Sequence, residues 1–503
     1  MSININSIKI IPNNNSNYTA KKKGESSSSI QLENLGNLKN INAEKLASAY
    51  KSNLLALSFK GGSTILDMNH IKMYNLPNNV RFISDTSPEV TQTEVSFQLT
   101  PNKLLQANPV SLKLLELMIN ESSQNLSKQQ LRDIEDKEGV HVFTQMNDQS
   151  IITRAFCRPG KFNVATSLIK EFLFNPKFTE ETLIDAKQQF KHITTFSLNH
   201  PISRQEKEIF SENTDETLKS IDNITLQGVK DLYHQIINNS AGKVVVTSPK
   251  QNYLASENDL IQSLSSGTPM LQPYQDIAVQ NPAASIPIIK SKAFIKPENN
   301  NNETYIRQNF KIIHNGNIKD IVAAHLLSIA LGGYNNSRIH KTLNESKNLT
   351  KDFYSDCNEY AASKYISLSA TVAKNNSVNT SGAENNNLKQ TLEVFKKNLN
   401  DLISIPISND ELNAVKQKLK DRFSNDLQDS SQRNFYLTQN TPYGINYINE
   451  YSNTIDKITP AQIQRAAQAF LTQPSIISIT APKETLEHNK DYLASIGEVS
   501  DLS

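Results

Sequence analysis

In the apolar stretch "SLKLLELMIN" (111–120), Lys113 and Glu116 stand three residues apart. On a helix that spacing puts both on one face, so Glu116 is either a proton acceptor beside a cation or half of an ion pair. Metal chemistry has few other places to start. His70, His141, His192, His200, His234, His314, His325, His340 and His488 never form a His-x-His or His-x-x-x-His pair, so a zinc site among them would need assembly by long-range folding. The two cysteines, Cys157 and Cys357, are too few for a disulfide framework or a thiolate metal site, although one bridge between them is allowed; a reduced compartment is expected. Cys157 lies in an alternating run, "RAFCRPGKF", where a small buried thiol is a plainer expectation than a nucleophile.

These groups must be positioned by a chain of 503 residues, long enough for two to four domains. Apolar residues make up 37% and charged residues 20%, the composition of a globular protein. With 52 basic against 50 acidic residues the net charge is +2, which gives no long-range attraction to nucleic acid or an anionic membrane. The N-terminus, "MSININSIKIIPNNNSNYTAKKKGESSSS", lacks a continuous apolar signal region, and no stretch reaches the 18 or so apolar residues a spanning helix needs. A cytoplasmic location is the expectation. No G-x-G-x-x-G or Walker sequence supports a nucleotide fold.

Residues 1–64 read as a polar, largely disordered tail with one short amphipathic helix in "INAEKLASAYKSNLLAL". Folded structure is expected from about residue 65, where "IKMYNLPNNVRFISD" sets two alternating runs around the turn Leu76-Pro77-Asn78-Asn79.

Beyond this point the sequence repeats itself. "ITLQGVKDLYHQIINNSAGKVVVTSPK" (224–250) lies over "ITPAQIQRAAQAFLTQPSIISITAPK" (458–483): each has an Ile-Thr start with Thr225 or Thr459 as N-cap, an amphipathic helix, a β-rich run and a Pro-Lys close. "FTEETLIDAKQQF" (178–190) matches "ISNDELNAVKQKL" (407–419), and "KLLELM" (113–118) more weakly overlies "HLLSIA" (325–330). The order is the same in both copies, and an insertion such as "NNSVNTSGAENNN" accounts for the growing offset. The expected organisation is a first domain over 65–255, a Pro-rich linker over 256–292, a second domain over 293–490 and a short tail over 491–503. Hairpins alternating with helices predict an α+β fold, two homologous layered domains with an antiparallel sheet covered by helices.

This order of elements resembles the insulinase and pitrilysin metallopeptidase family, which includes the mitochondrial processing peptidase. The resemblance spans roughly residues 65–490. "YNLPNNVRFI" is similar to the family's opening strand turn, "LGGYNNSRIHKTLNESKNL" to its Gly-rich turn and Ser-Arg-Leu helix, and "ITPAQIQRAAQAFL" to its Thr-Pro helix. It implies two homologous domains forming half of a clamshell around a chamber for extended peptides. It also implies an inverted zinc motif, H-x-x-E-H, with a further Glu ligand along the chain.

Laid on this chain, the motif places Lys113 at the first His, Glu116 at the general base and Leu117 at the second His, with Ile193 at the final ligand. Lys, Leu and Ile do not supply the neutral imidazole or carboxylate lone pairs that zinc takes. His192 adjoins Ile193 but has no ligand partners. The family's Arg/Tyr carbonyl clamp falls on Asn344 and Lys351, with Tyr354 three residues late, while Arg338 belongs to the structural Ser-Arg helix.

The resemblance thus implies a catalytically inactive homologue, with no cofactor, that binds or positions peptides. Its expected partner is an active, homologous zinc peptidase subunit, or itself as a self-dimer. Two alternatives stand beside it: an active zinc endopeptidase with non-standard ligands, and a structural or stand-alone peptide-binding module.

Overall fold

The structure is a computed structural model, and it describes residues 70–501 except 89, 91, 102–107, 147–149, 159, 200–213, 250–256, 266–267, 274–290, 298–302, 313–316, 346–347, 361–362, 374–385, 439–445 and 497. The N-terminal helix expected within 41–57 lies outside the described residues.

Alternating runs become strands where expected. β1 (Ile71–Asn75) and β2 (Val80–Asp85) pair antiparallel about the Leu76–Asn79 turn. Asn79 closes that turn at a φ of 64°, a left-handed conformation that Asn tolerates better than most residues. β3 (Thr93–Pro101), β4 (Val140–Met146), β5 (Ile151–Cys157) and β6 (Ser240–Thr247) complete a six-stranded sheet in the order β1-β2-β6-β3-β5-β4. The second sheet, made of β7 (Lys292–Pro297), β8 (Thr304–Ile312), β9 (Thr350–Tyr360), β10 (Ser363–Val372), β11 (Ile476–Ala481) and β12 (Glu498–Asp501), runs β12-β7-β11-β8-β10-β9.

Five strands of each sheet follow the same pattern, while the sixth is the N-terminal β1 in the first sheet and the C-terminal β12 in the second. In the first half β6 enters between β2 and β3, and in the second β11 enters between β7 and β8, each parallel to the former neighbour and antiparallel to the latter. The sheets are therefore mixed rather than wholly antiparallel. Each insertion is delivered by a crossover helix, which lets a strand enter parallel to its neighbour.

Helices of each half cover one face of its sheet, except Ser430–Thr438 of the second, which lies on the first sheet. In the first half they are α1 (Pro109–Ile119), α2 (Lys128–Glu138), α3 (Phe162–Phe174), α4 (Glu180–Asn199), α5 (Thr214–Asn223), α6 (Leu226–Asn239) and α7 (Glu257–Ser265). In the second they are α8 (Ile318–Gly332), α9 (Asn387–Ser404), α10 (Asn409–Asp426), α11 (Ser430–Thr438), α12 (Tyr447–Lys457), α13 (Pro460–Leu471), α14 (Lys483–His488) and α15 (Lys490–Ile496), together with the short helical turn Arg338–His340.

The repeated sequences fall on corresponding elements. The Thr225 side chain caps α6 and Thr459 caps α13, the latter in a reciprocal capping box with Gln462. Thr179 and Ser408 likewise cap the first turns of α4 and α10. Val95, Phe97 and Leu99 of β3 face a first core with Leu114, Leu115 and Met118 of α1, while Ile306 and Phe310 of β8 face a second core with Leu326 and Leu327 of α8.

Part of the segment expected to link the halves belongs to the first core. α7 buries Leu260 and Leu264 there, and Leu271 follows. The Asn78 side chain donates to the Leu264 carbonyl (2.9 Å), and the Leu271 and Gln272 amides donate to the Asn78 and Ser240 carbonyls.

The second face of the first sheet is closed by the other half. Ile71, Ile83 and Val245 join the second core, and α11 lies across β3 and β6. Asn434 accepts from the Ser96 hydroxyl (2.6 Å) and donates to the Val245 carbonyl (3.1 Å), and Lys243 donates to the Thr438 carbonyl (3.0 Å). The Arg433 guanidinium bonds the Asp85 carboxylate, His70 Nε2 (2.8 Å) and the Leu427 carbonyl (3.2 Å). On the same sheet face Glu94 is fully buried, 3.7 Å from Arg154. Burial, reinforced by the Asp429 charge, raises its carboxyl to about 7 against the pull of Arg154 and of the Ser431 hydroxyl, which lies near without reaching hydrogen-bond geometry.

Candidate functional site

The helix carrying Lys113, Glu116 and Leu117 is α1, which Asn108 starts by accepting from the Val110 amide (2.9 Å) ahead of Pro109. Its apolar side, from Val110 to Ile119, is buried in the first core, and its other side faces the free edge of β4. Lys113 and Glu116 meet there as an ion pair through Glu116 Oε1. The second oxygen, Oε2, accepts the backbone N–H of Met146 (2.9 Å). Glu116 is only 12% exposed, and both of its oxygens are engaged.

One turn on, the Asn120 amide makes a two-way bond with Thr144: Oδ1 accepts the Thr144 N–H (2.7 Å) while Nδ2 donates to the Thr144 carbonyl (2.9 Å). From α2, Glu135 Oε1 accepts the Val142 N–H (2.6 Å). Glu116, Asn120 and Glu135 thus serve alternate residues of one strand. Asn120 and Glu135 carry no motif spacing that points to this role, because their partners lie on a strand set by the hairpin that follows.

Leu117 is buried and lines a groove of about 310 Å³ with Asn120, Glu121, Glu135, His141 and Gln189 among others. α4, which carries Gln189 and Ile193, packs against α1. Ile193 is 40% exposed, and the neighbouring His192 is exposed as well. At the positions the resemblance assigns to ligands, the side chains are therefore an ammonium already paired to a carboxylate and two alkyl groups. That donor set does not fit zinc. Among the described residues no three His, Cys, Asp or Glu side chains converge as a metal-holding group.

In the second half, Asn344 falls in the π-helical turn Lys341–Glu345, and Lys351 stands on β9, ion-paired with Glu303. Tyr354 is exposed on the same strand. Arg338 holds Glu411 of α10 through two bonds of 2.7 and 2.8 Å, a fork that anchors the Ser-Arg turn to the helix layer. Cys157 is buried in β5, its thiol pushed up to about 12 by burial, and neither cysteine is bridged. Among the described residues no helix is long and apolar enough to cross a membrane.

Residues 223–419 match the family model of the peptidase M16 inactive domain. No curated protein matches the chain. Among solved structures, the fold is similar to a protease from Helicobacter pylori, at 16% identity over 82% of this chain and 99% of that one, with a TM-score of 0.65. It is similar to a peptidase M16 inactive domain from Pseudomonas fluorescens, at 15% identity over 82% and 98%, with a TM-score of 0.65. It also matches the ferredoxin protease FusC in complex with Arabidopsis ferredoxin, at 11% identity over 82% of this chain but 45% of that one, with a TM-score of 0.60. The fold is that of M16 peptidases, and residues 223–419 resemble that family's inactive domain.

Proposed function

We propose that this chain is a non-catalytic, peptidase-like subunit forming one half of a two-part clamshell whose other half is a homologous, zinc-bearing chain. Its contribution is to hold and position polypeptide within the shared chamber rather than to cut it. The observation that carries the non-catalytic reading is the engagement of Glu116. A general base must reach a metal-bound water, whereas this carboxylate is spent on Lys113 and the Met146 amide. Leu117 and Ile193 supply no replacement ligand. The pairing is supported by proportion: a chain that spans 45% of the ferredoxin protease corresponds to about one half of it.

Two measurements test this. Elemental analysis of the purified chain is expected to find far less than one zinc per molecule, and Glu116→Gln is expected to leave peptidase assays at background. Stoichiometric zinc, with cleavage abolished by Glu116→Gln, would favour an active enzyme with other ligands. Co-purification from the native source is expected to recover a homologue with an intact H-x-x-E-H motif. Recovery of the chain alone counts against pairing.

A further inference from the structure

The end strand of a sheet normally offers a row of unpaired N–H and C=O groups to any extended chain that arrives. β4 is such an edge, because among the described residues it pairs with β5 alone. Along it the N–H groups of Val142, Thr144 and Met146, two residues apart, point to the same side and each meets a side chain: Glu135, Asn120 and Glu116. The Asn120 side-chain amide reproduces the paired N–H and C=O bonds that a neighbouring strand would make to Thr144.

We infer that these three side chains form an edge guard which closes β4 to strand addition. Their oxygens occupy the acceptor positions that the carbonyls of an incoming strand must take. An extended polypeptide or a second copy of this chain can pair with β4 only by displacing two carboxylates and an amide together. Lys113 holds the Glu116 carboxylate in place, and His141 lies 3.5 Å from that of Glu135. Glu116 is in this account a strand cap, a role independent of whether the chain has a peptidase partner. Polypeptide handled by this subunit is then held on surfaces other than the β4 edge.

The test begins with the unmodified chain. Hydrogen exchange is expected to protect the amides of Val142, Thr144 and Met146 as strongly as those of the interior strand β3. Protection no greater than in a surface loop overturns the inference. A triple variant, Glu116→Ala with Asn120→Ala and Glu135→Ala, is checked for native circular dichroism. It is expected to lose at least tenfold protection at those three amides and to gain binding to fluorescein-labelled, reduced and carboxymethylated α-lactalbumin, a permanently unfolded probe. The single variant Asn120→Ala, which removes the strand-like pair alone, is expected to raise exchange chiefly at Thr144. A folded triple variant with unchanged protection and no gain in probe binding sinks the idea.

Discussion

Arg433 of α11 donates to the Asp85 carboxylate at the end of β2, joining the two halves across 348 residues of sequence. Both side chains are almost wholly buried, so neither can be rehydrated when its partner is removed. Arg433→Ala is expected to cost about 3–5 kcal/mol, because it strands a buried carboxylate. Replacing both residues by apolar ones of similar size is expected to cost much less. Urea unfolding followed by two probes checks the order, and equal losses for the single and double variants contradict it.

Glu94 gives a pH dependence of definite sign. Its carboxyl is raised to about 7 in the fold from an ordinary value of 4.5, so the folded chain holds a proton that the unfolded chain has released. Stability is fully present below the ordinary value and declines as pH rises toward 7. Glu94→Gln, which stays neutral, is expected to match the parent near pH 4.5 and to exceed it at pH 8. Parallel melting curves for the two proteins between these values count against the assignment.

At Gly332, the last residue of α8, an added Cβ would sit 2.3 Å from a ring carbon of Phe353 on β9. Phe353 is buried and cannot retreat into solvent. Gly332→Ala is therefore expected to destabilise by about 1–3 kcal/mol as an overpacked contact. The smaller ring space of Phe353→Leu should recover part of that loss in the double variant. Additive losses in thermal melts argue against a shared clash.

Cys157 is expected to resist alkylation in the native chain at pH 8, since its thiol is buried and pushed up to about 12. Peptide mapping after iodoacetamide treatment, with and without denaturant, reads the difference. Rapid native labelling at Cys157 would place it in a far more open site.

The repeat was legible because hydroxyl caps, helical periodicity and strand-like runs are local and survive divergence. Thr225 and Thr459 announce equivalent helices, and the strands after them occupy equivalent places in their sheets. The parallel entry of β6 and β11 was not legible, because the partner of a strand is chosen by tertiary packing rather than by its own alternation. The docking of α7 was hidden for a similar reason: Leu260 and Leu264 look unremarkable amid a polar, Pro-rich stretch, and the Asn78 bond to the Leu264 carbonyl comes from far along the chain.

At the candidate site, residue types alone indicated that Lys113, Leu117 and Ile193 are unsuited to zinc, and the i, i+3 spacing foretold the ion pair. The second partner of Glu116 has no local signature: Met146 lies 30 residues away on a strand whose outward amides no sequence pattern distinguishes. The buried Glu94 was equally silent, since an acidic residue in an alternating strand ordinarily faces water.

The lie of α11 across the first sheet has a consequence for biosynthesis. The first half leaves the ribosome with one face of its sheet bare, including Asp85, Ser96 and Lys243, and the residues that cover it are translated only after strands β7 to β10 of the second half. Completion of the N-terminal half therefore waits on C-terminal residues, and a chain interrupted before residue 430 exposes that face to aggregation. Shortened forms of this protein are accordingly expected to depend on chaperones more than the whole chain does.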